Sequence, residues 1–501
     1  MGLFPGIDMR SNNRDERKEC PGGTPAGGFD EGQRGGAFPQ REERIPLFTR
    51  LAFGSGGFSS AFIMQVFFTL AYPIYQVGLG VNPVWLGYAL TVPRLLDFFI
   101  DPLIGNFSDN LKTRWGRRRP LILGGAGLCA LILPLLWMPP SRDPAVMLAY
   151  FIAMSCVYTL GYAVFEVPYS ALGYEMTDDY DERTRVLAWR MYMGLAGLLL
   201  MPWALKLCFL PVFGGKEIQG APWVSAAISL CILGGALWTV LGVRERVPRK
   251  QTEIHVVQAL KLTFTNKPFV MLMVVNLIVR VGIASIGPIA YYINIFDVCR
   301  LGDFQASKEF AATVSGWSGM LAALASYATL PAATWLASRG TKRLSMLFCL
   351  GLAALSSGSF WFTFDARWPY LQVVSAVAAS AAMNGVWLLM ISMIADVCDE
   401  DQLRTGMRRE GMFGASYSVV EKLSFAAAST FGGLLLVVVG YDAQRALAGD
   451  VAPEVIARMK AIFVFAQCAA LLVAIGVIAI YPLTRARALQ VRRLLEQQES
   501  P

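Results

Sequence analysis

Twelve apolar runs recur along this 501-residue chain, at about 48–76, 84–107, 120–138, 146–174, 186–211, 222–243, 267–296, 309–337, 343–364, 370–397, 412–440 and 456–482. The hydrocarbon core of a bilayer takes ~20 helical residues to cross. Backbone polar groups in lipid must be satisfied within the crossing structure, and runs this long are helices rather than barrel strands. The expected fold is therefore an all-α integral membrane bundle of twelve transmembrane helices. Composition agrees: 55% hydrophobic against 16% charged excludes a water-soluble domain. The 47 glycines and 26 prolines are compatible with membrane helices, where both residues are frequent.

Basic residues alternate between the connections. One set holds Lys112, Arg114 and Arg117 to Arg119, then Arg183 and Arg185, then Arg244, Arg246, Arg249, Lys250 and Lys261, then Arg339, Lys342 and Arg343, then Arg404, Arg408 and Arg409. The other holds only Arg142, Lys216, Arg300, Lys308, Arg367 and Arg445. The positive-inside rule makes the first set cytoplasmic and places both termini inside a cell membrane. Residues 1–45, Gly-rich and poor in apolar side chains, read as a disordered cytoplasmic tail without the apolar core of a signal peptide. Two six-helix bundles follow, 46–243 and 267–483, joined by a linker at 244–266, and 484–501 forms a second cytoplasmic tail. The connection after the second run, Ser108 to Arg119, has a shorter counterpart after the eighth, Ser338 to Arg343, as a two-fold internal repeat would produce.

The net charge of +8 is spread between apolar runs rather than gathered on one face, so no nucleic-acid partner is expected. Nine cysteines without a CxxC spacing indicate neither a disulfide framework nor zinc. The single histidine, His255, lies in the polar linker, so carboxylates must carry any cation coupling.

Charges inside the apolar runs are the strongest functional signal, since each costs ~2.5–3.5 kcal/mol at the centre of a span. Arg94, Asp97 and Asp101 follow at i, i+3 and i+7 and share one side of the second helix. A fixed ion-pair network would account for one aspartate. The second leaves a net negative charge that a cation, or a proton shared by the pair, would complete. Pro93 and Pro102 free carbonyls near Ala89 and Phe98, as ion ligands or as simple kinks. Glu166, Arg190, Arg280, Glu421 and Lys422 complete a set of four cations and four anions, which indicates a hydrated cavity. Lys206 lies nearer the outer end of its run and is expected to snorkel to the interface. Trp387 is either a sugar-stacking platform or ordinary packing.

The string from Arg94 to Gly105, with Ser108, Asp109 and Thr113 to Pro120 behind it, resembles the glycoside–pentoside–hexuronide:cation symporters, the melibiose-permease-like branch of the major facilitator superfamily. The resemblance extends over about residues 46 to 483 and implies the major facilitator fold of two six-helix halves. It implies that Asp97 and Asp101 bind the coupling cation, Na⁺ or H⁺, with Arg94 beside them. Tyr162, Glu166, Arg190, Trp387 and Lys422 match its sugar-cavity and coupling positions, and Asp109, Arg117 and Arg118 its cytoplasmic gate loop. Two departures stand out. Ser60 and Ala61 occupy the places of a helix-one Lys-Asp pair, and Ala163 replaces a Thr that supplies an oxygen in the Na⁺-coupled pattern. Arg280 lies outside the pattern. It would face an acidic group on the substrate, or else pair with Asp97, Asp101 or Glu166.

The reading is a monomeric secondary carrier, without enzymatic activity or cofactor, that moves a sugar, glycoside or uronide with a cation by alternating access. The alternative within the superfamily is a carrier of lysophospholipids or other amphipathic solutes, which loss of the helix-one acid would suit. An intramembrane enzyme would need a mid-span histidine, HExxH or GxSxG, which the sequence lacks.

Overall fold

The apolar runs become helices whose ends follow local chemistry. The structure is a computed structural model that describes residues 45–177, 179–245, 263–407 and 409–499. Its first six long helices are α1 (Leu47–Ala71), prolonged by a π-helical turn to Gly78, α2 (Pro83–Asn110), α3 (Arg119–Leu135), α4 (Pro144–Glu175), α5 (Tyr180–Leu200), continued by Ala204–Cys208, and α6 (Glu217–Gly242). Then come α7 (Lys267–Ala284), continued by Gly287–Ile293, α8 (Phe304–Ala328), continued after Thr329 by Leu330–Arg339, α9 (Lys342–Thr363), α10 (Gln372–Thr405), α11 (Glu410–Val438), α12 (Pro453–Ala479) and α13 (Arg485–Glu499). Asn82 caps α2 by accepting from the Val84 N–H at 2.9 Å, and Pro83 occupies the first helical position, where its missing donor costs nothing. Thr341 caps α9, and α10 stops at Gly406, whose φ of +68° favours glycine.

Among the described residues nine helical segments are long and apolar enough to cross a membrane, which makes this a multi-pass membrane protein. The remaining runs are α2, which carries Arg94, Asp97 and Asp101, the 17-residue α3, and α8, interrupted at Thr329. The expected tail 1–45, apart from Ile45, and most of the linker 244–266, with His255, lie outside the described residues, as does Arg408. The segment 484–501, expected only as a tail, forms α13, which packs on the end of α10.

Packing repeats with a period of six helices. In the first half α1 meets α5 and α6, α2 meets α4, and α3 meets α4 and α6. In the second, α7 meets α11 and α12, α8 meets α10, and α9 meets α10 and α12. One apolar core, with Phe53, Ile63, Phe151 and Tyr169 at its centre, fills the first half. Two cores, around Phe269 and Leu350 and around Tyr292 and Phe463, fill the second.

The halves meet through α2 on α11 and α8 on α5, two contacts that the repeat exchanges. The α2–α11 approach depends on glycine. A Cβ on Gly87 would lie 2.7 Å from the Ser429 carbonyl oxygen, and one on Gly433 would run into the Pro83 carbonyl. Trp203 and Trp317 pack edge to face with ring centroids 5.2 Å apart, on the side away from the termini. Among the described residues the ion pairs joining the halves lie at mid-depth or on that same side.

Candidate transport site

The second-helix carboxylates meet a lysine from the other half. The Lys422 ammonium of α11 contacts Asp101 in a close ion pair and lies 3.3 Å from an Asp97 carboxylate oxygen. It also donates to the Asp97 backbone carbonyl at 3.3 Å, one residue before the carbonyl that Pro102 frees. Asp97 is buried, and Asp101 and Lys422 are half-buried. Two carboxylates and one ammonium leave one negative charge, which the Arg94 guanidinium one turn away faces through its electrostatic interaction with Asp97, where the surroundings screen charge poorly.

Arg94, one turn away, forms no ion pair among the described residues. Its guanidinium lies over the Phe68 ring at 4.4 Å from the centroid and faces Phe425 at 5.8 Å. Phe425 also receives Arg280 at 5.1 Å, and Arg280 lies 4.2 Å from the Trp387 centroid. A row of alternating rings and guanidinium groups thus runs from α1 through α2, α11 and α7 to α10. Ring faces carry partial negative charge, which holds the cations without neutralising them.

A second cluster gathers on the first half. Glu166 of α4 pairs closely with Arg190 of α5, and accepts from Ser170 at 2.8 Å and from Ser60 of α1 at 2.6 Å. Arg190 also donates to Ser170 at 3.0 Å and lies over the Tyr169 ring. Tyr162 borders this cluster: its hydroxyl faces the Met64 sulfur at 4.0 Å and interacts with Ser60 and Glu166.

One expectation is corrected. Arg280 pairs not with Asp97, Asp101 or Glu166 but with Glu421 at 2.6 Å, and Asn276 and Tyr417 complete its shell at 2.9 and 3.4 Å. The reason is position: Asn276 sits one turn before Arg280, and α11 packs directly on α7. Lys206, expected to reach toward the interface, binds the half-exposed Glu309 of the facing half at 2.5 Å, because α8 brings a carboxylate within its reach. Trp387 carries the Arg280 guanidinium over one face of its ring.

The loop basic residues form a closed group within the first half. Arg118 lies 3.2 Å from Asp109 and 2.6 Å from Glu175, while Arg117 lies 3.9 Å from Asp109 and 2.5 Å from Glu175. Glu245, from just beyond α6, accepts the backbone N–H groups of Arg117, Arg118 and Arg119 at 2.8–2.9 Å, a carboxylate on the positive end of α3. Sequence reasoning missed Glu245 and Glu175, along with Ser170, Asn276, Tyr417 and Phe425. Ser170 after Glu166 and Asn276 before Arg280 stand four residues from their partners, and Tyr417 stands four before Glu421, the acid that shares Arg280 with it, a helical spacing that could have flagged them. Phe68 and Phe425 carry no such mark among 30 phenylalanines.

An all-helical membrane protein of two repeated halves, with balanced charges facing across their junction, belongs to the class of transporters rather than of enzymes. A family model described as MFS/sugar transport protein matches residues 52–485, and the chain belongs to that family. It is 26% identical over 441 residues to the glucuronide carrier protein homolog of Escherichia coli (strain K12), covering 85% of this chain and 89% of that one. It is 23% identical over 408 residues to the isoprimeverose transporter of Lactiplantibacillus pentosus, covering 80% and 82%. Among solved structures a D-xylose-proton symporter aligns at 14% identity with a TM-score of 0.58, covering 87% of this chain and 97% of that one, which shows a shared fold.

Proposed function

We propose that this protein is a twelve-helix secondary carrier that moves a sugar, glycoside or uronide into the cell with Na⁺ or H⁺, with both termini cytoplasmic. The observation that carries the reading is the pair of carboxylates, Asp97 and Asp101, that share the single ammonium of Lys422 from the opposite half. One monovalent cation, or one proton, can take the place of the Lys422 ammonium at these oxygens. Cation and Lys422 then compete for the same oxygens. When the ion binds, the ammonium is released from α2, and the link between α2 and α11 changes with it. Coupling follows because the ion favours one arrangement of the halves over the other.

Glu166, Arg190 and Lys422, with Tyr162 and Trp387 nearby, are the groups we assign to the solute, and the names of the glucuronide and isoprimeverose relatives support a carbohydrate. Ser60 and Ala61 stand where the sugar-transporting pattern has a Lys-Asp pair, so Glu166 is the acid left to grip sugar hydroxyls. Arg280, already matched by Glu421, serves to position Trp387 and α11 rather than to select acidic solutes. Asp109, Arg117 and Arg118 brace the cytoplasmic ends of α2, α3 and α4 as one unit during the cycle.

The test is uptake of labelled neutral glycosides and glucuronides into vesicles under an imposed Na⁺ or H⁺ gradient. One gradient should drive accumulation in the native carrier, and Asp97→Asn should abolish that accumulation while leaving downhill equilibration. Unchanged accumulation in Asp97→Asn would remove this residue from coupling.

A further inference from the structure

A groove of about 590 Å³ opens on the side of the termini, between the start of α9, the chain leaving α12, and α13. Four cations line it, Lys342, Arg343, Arg485 and Arg492, against one carboxylate, Asp396. Lys342 lies 2.7 Å from Asp396 and donates to the Ser392 carbonyl at 3.0 Å. Arg492 reaches Asp396 at 3.6 Å and Asp399 at 3.5 Å. Arg343 donates to the backbone carbonyls of Ala479 and Tyr481, partners that orient a guanidinium without cancelling its charge. Arg485 donates to the Gly340 carbonyl at 3.2 Å. The Tyr481 hydroxyl is buried at the groove and has no hydrogen-bond partner among the described residues.

The other wall is apolar. Leu344, Leu347, Leu483 and Leu489 line the groove, and Leu344 and Leu489 are exposed. From Leu344 the exposed surface of α9 continues through Phe348, Leu352 and Leu355, at the i, i+4, i+8 and i+11 positions of one helix face. In a chain that crosses a bilayer this stripe faces acyl chains, so basic groove and lipid-facing surface are continuous.

We propose that this groove binds one anionic phospholipid, its phosphate held by Arg343, Arg485 and Arg492 and its acyl chains lying along Leu344 and Phe348. Guanidinium groups match phosphate oxygens in pairs. A zwitterionic choline headgroup would bring a positive charge among four others, and free phosphate would leave the apolar wall uncovered. The lipid would tie α13 to α9 and α12, fastening the terminal helix to the second half.

The test uses the full-length carrier, delipidated in detergent and titrated with phosphatidylglycerol, phosphatidylcholine or inorganic phosphate, with bound species counted by native mass spectrometry. One phosphatidylglycerol should be retained about tenfold better than phosphatidylcholine, and millimolar inorganic phosphate should not displace it. Arg485→Gln should weaken retention about fivefold, and Arg485→Gln/Arg492→Gln about thirtyfold. Arg487→Gln/Arg493→Gln removes the same charge from the same helix outside the groove and should leave retention unchanged, with thermal melting confirming that each variant is folded. Equal retention of the two lipids, displacement by inorganic phosphate, or equal loss in the two double variants would overturn the proposal.

Discussion

Lys422 governs how Asp97 and Asp101 can be neutralised, because it contacts both carboxylates and comes from the opposite half. Lys422→Gln leaves two carboxylates without their internal cation. Gradient-driven accumulation should then fall about tenfold or more, and by a larger factor than exchange of solute across vesicles, because ion occupancy no longer alternates with a side chain. Measuring accumulation and exchange on the same preparation checks this. Arg280 and Glu421 support a different expectation. Arg280→Gln strands a partly buried carboxylate, so it should lower the thermal midpoint more than the double variant Arg280→Gln/Glu421→Gln, in which neither partner is left alone. Uptake of neutral and acidic sugars should fall by the same factor in Arg280→Gln. Selective loss of the acidic sugars would return Arg280 to the role of an anion receptor.

Between the halves, the close approach of α2 and α11 rests on residues without side chains, Gly87 and Gly433. A valine at Gly433 must displace the Pro83 carbonyl, and overpacking of this kind costs about 1–3 kcal/mol. Gly433→Val should therefore lower the thermal midpoint of the purified carrier, whereas Gly476→Ala, at a position whose Cβ meets open space, should not. At α3 the stabilising element is borrowed: three N–H groups at its start are satisfied by Glu245, which follows α6. Glu245→Ala should cost about 1–2 kcal/mol through the loss of that cap, read as a lower melting point with transport intact above it.

The arrangement of the two halves accounts for the state observed. Ion pairs between them join Lys308 to Glu217 and Lys206 to Glu309, and Gln305 donates to the Gly215 carbonyl, all on the side away from the termini. On the terminal side the described ion pairs stay within one half, as in Arg118 with Asp109 and Arg409 with Asp401. With the termini in the cytoplasm, as proposed, the carrier is sealed outward. Lys308→Gln breaks a buried pair and should shift the population toward the outward-open arrangement. A cysteine placed at Ser318, beneath the seal, should then react about tenfold faster with an external membrane-impermeant thiol reagent, if the pair contributes ~1.4 kcal/mol to closure.

Helical spans, their two-fold grouping and the side chains that lipid would not tolerate could all be read from the chain. Hydrophobic length and the cost of a buried charge are local properties, written into each segment independently of its neighbours. Partner choice could not be read in this way. Lys422 reaches Asp101 across 321 residues, Arg280 takes Glu421 rather than a carboxylate of α2, and Lys206 finds Glu309 in the other half. Many pairings balance the same charges equally well. The one adopted depends on which helix faces come together, and that is set by packing between helices distant in the chain.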